Sequence, residues 1–201
     1  MRVAIDLRAK EDNSGTDNTT KKGTHSPTKH YEHWAARIQG IETKTFEKEH
    51  LIRIRDVMVK NGITCRQLTC DAMREILKDR SVLLTTELNE HVTKLIGEFR
   101  GPRPYKLTAN ENRRAKEMFT IIMFYYEKQH PGEGNRPYYP YFIYKIYEYM
   151  FQGQPDKLKI LNFIHLQGEE TVRKHDNDLR QICEEAGDEL PLKYSATLRL
   201  R

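Results

Sequence analysis

The segment FRGPRPYKLTANENRRAK, residues 99–116, holds Arg100, Arg103, Lys106, Arg113, Arg114 and Lys116 against a single acid, Glu111. That local excess equals the net charge of the whole chain, +5. Guanidinium and ammonium groups at this density suit the phosphates of nucleic acid, with an affinity that falls as salt rises. The run spans a loop and the start of a helix, where backbone N–H groups also favour phosphate. These six residues are the candidate nucleic-acid-binding residues. A solvated basic surface is the competing reading, because Glu98 and Glu117 flank the run and dilute its field.

Other residue types with chemical potential lead less far. His30 and His33 stand three apart with Glu32 between them, but no cysteine or third ligand is near, so a surface pair outweighs a metal site. Three cysteines occur, Cys65, Cys70 and Cys183, with no CxxC pair. Cys65 and Cys70, five apart on a helix, point to different faces, so neither a zinc site nor a disulfide framework follows. No nucleophile elbow, phosphate loop, HExxH or Ser/His/Asp pattern is present. The expectation is a binding module without cofactor or metal rather than an enzyme.

The elements that position these residues read as helices. Trp34 and Ile38 stand four apart after Pro27. Leu51, Ile54, Val57 and Met58 mark a second helix that stops at Asn61-Gly62. Thr64 and Gln67 form a capping box predicted to open a helix with Leu68, Ala72, Ile76 and Leu77 on one face. Another is predicted from about Thr85, with Leu88, Val92, Leu95, Ile96 and Phe99 on its stripe. Thr108 and Glu111 make a second capping box. It opens a long helix carrying Ala115, Met118, Phe119, Ile122 and Tyr126. HPGEGNRP breaks that helix. Pro155 starts a short helix with Leu158, Leu161 and Ile164. The last helix carries Val172, Leu179, Ile182, Cys183 and Ala186 and ends at Gly187.

Between those breaks lies the most aromatic stretch, RPYYPYFIYKIYEYMF. Eight of the eleven tyrosines fall between Tyr125 and Tyr149. At helical spacing Tyr141, Lys145, Glu148 and Gln152 form one polar stripe, and the rest of the circumference is apolar. Such a helix belongs in a core, whereas base stacking needs rings on an exposed platform. Tyr138 and Tyr139, placed in the loop before it, are the candidates for exposed contact.

Hydrophobic residues are 37% and charged residues 31% of 201, enough for one domain with a core plus a polar arm. Residues 9–29 are small, polar or charged and read as a mobile arm. Val3, Ile5 and Leu7 alternate at strand period, as do Leu198 and Leu200, so the two ends are candidates for a short ribbon or for docking on another chain. No apolar run approaches a membrane span, and MRVAIDLR is too short and charged for a secretory signal. With few cysteines, the expected setting is soluble, intracellular and reducing.

Four blocks, in order, resemble the poxvirus late transcription factor 3-like family of large double-stranded DNA viruses. The first is HYEHWAARIQGIE, with His30, Trp34, Gln39, Gly40 and Glu42. The second is the helix Leu107 to Ile122 after a proline-containing loop. The third is YPYFIYKIYEYM, with Tyr144 and Lys145. The fourth is EETVRKHDNDLRQICEEAGDEL, with Asp176, Ile182, Cys183, Glu184, Glu185, Gly187 and Glu189. The match covers roughly residues 29–192. Leu179 and Asp188 stand where the family usually has tryptophan, and the polar arm, without cysteine, stands where members often carry a zinc-binding segment.

The resemblance implies a factor that activates late gene transcription with the viral RNA polymerase and other late factors. It would act at sites of viral transcription in the host cell, in a cytoplasmic factory or the nucleus. The runner-up is a structural virion protein using the same fold for subunit contacts. The expected architecture is all-α. It comprises a flexible arm (1–29), an irregular domain of about seven helices (30–192) and a C-terminal extension (193–201), with double-stranded DNA as a partner and no membrane.

Overall fold

The computed structural model describes residues 26–82, 86–132 and 137–197. The strand-period ends and all but the last residues of the expected arm lie outside them. The described residues form eight α-helices and no β-strand, one helix more than the expected seven: α1 (Pro27–Ile38), α2 (Lys48–Lys60), α3 (Cys70–Lys78), α4 (Val92–Glu98), α5 (Ala109–Gln129), α6 (Tyr139–Met150), α7 (Pro155–Leu158) and α8 (Glu169–Ala186). Pro27 takes the first position of α1, where its fixed φ suits a helix start and its missing N–H costs nothing.

Two hydrophobic clusters divide these helices. One joins α1, α5, α6 and α8 through residues such as Tyr31, Phe119, Ile122, Phe142, Ile146 and Leu179, all 0% exposed. The other joins α2, α3 and α4 through Ile54, Met73, Leu95 and Ile96, also 0% exposed. The apolar positions read from α5 and from Leu88 to Phe99 are all buried. Tyr31, Tyr141 and Tyr147 are completely enclosed, so the tyrosine run fills a core. The Tyr31 hydroxyl donates to Asn112 at 2.9 Å and meets that of Tyr147 at 3.4 Å. Burial pushes the Tyr31 hydroxyl up to about 12 and Tyr147 well above its ordinary value.

Several expectations are corrected. The Thr64 box forms, with Gln67 Oε1 accepting from the Thr64 N–H at 3.0 Å, but it opens only a 3-10 turn, Cys65–Gln67. The chain becomes extended at Leu68, whose side chain is fully buried, and Thr69 caps a new helix by accepting from the Ala72 N–H at 3.1 Å. The buried face of that helix is Cys70, Met73, Ile76 and Leu77, and Ala72 is half-exposed. The helix expected from Thr85 likewise begins as a 3-10 turn, Thr86–His91, before α4.

The polar stripe of α6 is a second correction. Tyr141 is 0% and Lys145 2% exposed. The extended segment 191–197 covers them, anchored by buried Leu190 and Leu192. Lys145 Nζ donates to Glu148 at 2.5 Å and to the Ser195 carbonyl at 2.7 Å. Tyr141 donates to Asp176 at 2.5 Å, and Asp176 also accepts from the Thr197 backbone N–H at 3.2 Å. The stripe is polar because it faces the Ser195 carbonyl and the Asp176 carboxylate, acceptors that need partners when buried.

Tyr138 and Tyr139 are half-buried rather than open. Tyr139 is the first residue of α6 and stacks on His30 at 4.5 Å, and Tyr138 donates to the His165 carbonyl at 2.8 Å.

Candidate nucleic-acid interface

The basic segment starts where α4 ends. Gly101 N–H donates to the Ile96 carbonyl at 2.9 Å and Arg100 N–H to Gly97 at 3.0 Å, the paired bonds of a Schellman turn. α1 and α2 close with the same pattern and place glycine in the left-handed position, Gly40 at φ +62° and Gly62 at +64°. In α4 that position is Arg100, at φ +56°. A non-glycine residue there is strained by about 1–2 kcal/mol. Gly101 has no such freedom to change, because an added Cβ would lie 2.6 Å from Ile96 Cγ2.

Three tethers hold the following loop. Besides Gly101 against Ile96, the Leu107 N–H donates to Gln39 Oε1 at 2.8 Å, and the Tyr105 hydroxyl donates to Glu111 at 2.8 Å. The Tyr105 ring packs edge-on to Phe151. Arg100, Arg103 and Lys106 therefore extend to solvent from a fixed backbone.

Glu111 is the hub of the junction. Its carboxylate accepts from the Thr108 N–H at 2.8 Å and from Lys157 Nζ at 2.7 Å, while Thr108 Oγ1 accepts from the Glu111 N–H at 3.3 Å. Burial acts to raise its pKa, but the bonds from Lys157, Thr108 and Tyr105 outweigh that and bring it down to about 2. The capping box read from the sequence thus forms, and it places a carboxylate beside the start of α5, where it accepts the Thr108 N–H. Lys157, which also lies over the Tyr105 and Phe151 rings, carries no local signal in the sequence and reaches Glu111 only through the fold.

Beyond the cap the cations separate. Arg113 pairs with Glu117 at 2.9 Å and Lys116 with Glu32 of α1 at 2.5 Å. Arg114 and Lys116 leave α5 about 160° apart around its axis. Arg114 instead borders a shallow groove with Glu189 and Pro191. Arg100, Arg103, Lys106 and Arg114 make no ion pair among the described residues. The six candidates are therefore two paired and four unpaired cations, not one continuous patch.

His33 meets Trp34 edge-on at 5.7 Å, and no group of three His, Cys, Asp or Glu among the described residues is arranged to hold a metal ion. Cys65, Cys70 and Cys183 are free thiols. No described helix is long and apolar enough to cross a membrane.

Residues 18–190 match the model of the family described as Poxvirus Late Transcription Factor VLTF3 like. The chain belongs to that family. The zinc finger protein B385R of African swine fever virus is 29% identical over 175 residues, in both the Kenyan pig and the Namibian warthog isolates. The alignment covers 82% of this chain and 45% of each relative, so the chain spans under half the length of the curated relatives it matches. No solved structure matches it.

The blocks that carry the VLTF3-like resemblance fall on α1, α5, α6 and α8, the four helices of the first cluster. Gln39, Gly40 and Glu42 of the first block sit at the seam between clusters. Gln39 holds the basic loop, and Gly40 lies against Thr93, 3.2 Å from where a Cβ would reach. Glu42 accepts from or pairs with His91 Nδ1 at 2.7 Å and lies 3.7 Å from Arg37, which also pairs with Glu90 at 2.5 Å. Leu179, where the family pattern has tryptophan, is fully buried, and Asp188 is exposed.

Proposed function

We propose that this VLTF3-like chain is a non-enzymatic, virus-encoded factor that activates late gene transcription together with the viral RNA polymerase and other late transcription factors. It acts at sites of viral transcription in the infected cell. It contacts duplex DNA phosphates through Arg100, Arg103, Lys106 and Arg114, with Arg113 and Lys116 in support. The family match over residues 18–190 carries the transcriptional reading. Four exposed cations without an acidic partner among the described residues support the DNA contact, the first three on a tethered loop. Such contacts position a protein on DNA without reading its sequence. The alternative, a structural virion protein, rests on the strand-period ends, which lie outside the described residues.

Binding of labelled duplex DNA across a salt series tests the contact. Four phosphates neutralised give a slope of log affinity against log salt of about −3.6. Exchange of Arg100, Arg103 and Arg114 for Glu removes most of it. Retention of the full slope in that variant overturns the assignment.

A further inference from the structure

The seam between the two clusters opens into a groove of about 400 Å³. That is the size of a small-ligand pocket, and seams between packed units are common places for one. None of the six basic-segment residues lines it.

Its walls combine rings and cations. Trp34 comes from α1, Tyr138 from the approach to α6, and Phe163 from the turn after α7. The rings are held in advance. The Arg37 guanidinium lies 5.5 Å from the Trp34 ring centroid and is itself tied to Glu90 at 2.5 Å. Tyr138 is anchored by its bond to the His165 carbonyl. On the rim, α3 places Arg74 and Lys78 one turn apart, on one face. Their partners, Asp71 and Glu75, have side chains 90% and 70% exposed. The Lys78 pair is open to water on both sides and therefore weak, so Lys78 is available to an anion, while Arg74, with its side chain 18% exposed, holds its charge in the groove wall. Asn89 adds an amide that both donates and accepts.

We propose that this groove takes one unpaired base of a single-stranded nucleic acid, with the adjoining phosphate on Arg74 and Lys78. Trp34, Tyr138 and Phe163 receive the ring, and Asn89 reads its edge. Aromatic walls beside a cationic rim are the chemistry by which single strands are held. Hydrogen bonding to the edge of a splayed base is how such sites acquire preference. A duplex does not fit, since its bases are stacked and paired. The site is independent of the duplex contact proposed above.

Trp34 is the chain's only tryptophan and lines the groove, so a ligand seated there alters its fluorescence. The full chain is titrated with a short oligodeoxyadenylate at low salt. Saturable quenching is expected, weakened about tenfold by Lys78→Glu and by Arg74→Glu. Lys78 has a 67% exposed side chain, so its replacement leaves folding intact. Arg100→Glu with Arg103→Glu leaves the quenching unchanged, whatever it does to duplex retention. Absence of quenching, or quenching that survives Lys78→Glu, overturns the proposal. So does quenching lost in the Arg100 and Arg103 variant, which moves the strand to the basic segment. Quenching by an acidic, phenylalanine-containing peptide but not by the oligonucleotide also overturns it and gives the groove to a protein.

Discussion

Arg100 is where local strain and proposed use meet. Its left-handed backbone is occupied by glycine at the equivalent ends of α1 and α2. Arg100→Gly is expected to raise unfolding stability by about 1 kcal/mol and to reduce the magnitude of the DNA salt slope by about 0.9. A purely structural arginine would move the first quantity and leave the second alone, so denaturation and salt titration of one variant separate the two roles. Glu111 is the other informative residue. Its carboxyl is held at about 2 against an ordinary 4.5. A depressed acid contributes fully above the unfolded value and loses that contribution as pH falls from about 4.5 toward 2. Glu111→Gln should therefore cost about 1 kcal/mol at neutral pH, and the gap from the native chain should close as the pH approaches 2. Urea denaturation at pH 7 and pH 3 checks this. A gap that widens in acid contradicts it.

Among the elements, α6 and the segment that covers it show how a polar stripe is used inside a fold. Lys145 donates to both Glu148 and the Ser195 carbonyl while almost wholly enclosed. Lys145→Met leaves both acceptors without that donor, at a cost of about 1–3 kcal/mol. Its local signature is faster hydrogen exchange at Thr197, whose N–H bonds Asp176, with the mid-α6 amides protected as before. Equal protection at Thr197 would mean that Leu190 and Leu192 hold the segment without Lys145. The same elements show the reach of sequence reading. The α5 cap and the stops after α2 and α8 were legible because Thr108 with Glu111, Asn61-Gly62 and Gly187 act within one turn. The break at Leu68 was not, since a helical continuation satisfies the same pattern and only the second cluster draws that side chain inward.

For the molecule as a whole, the seam between clusters is the feature with most consequence. It is bridged by Arg37, Glu42, Glu90 and His91, and by Lys94 donating to the Glu42 carbonyl at 2.5 Å. The Glu42 side chain is only 11% exposed, so its removal takes away the partner 2.7 Å from the His91 ring and leaves Arg37 with Glu90 alone. Glu42→Ala is expected to cost about 2 kcal/mol and to loosen the coupling of the two clusters. Trp34 fluorescence, which reports on the first cluster, and far-ultraviolet circular dichroism, which reports on both, should then follow different urea transitions. Coincident transitions with an unchanged m-value would show that apolar contact alone couples them.

The sequence by itself determined that the chain is helical, where most helices begin and stop, most of the residues that face a core, and the family to which it belongs. Those features follow from periodicity, from caps and from ordered motifs, all written along the chain. Tertiary structure alone decided which charges are available. Lys116 meets Glu32 across 84 positions and Lys157 meets Glu111 across 46, and these pairings, with the burial of Lys145, change what each charge can do. It also decided that Trp34, Tyr138 and Lys78 share one groove. Long-range packing brings such residues together, and no spacing along the sequence records it.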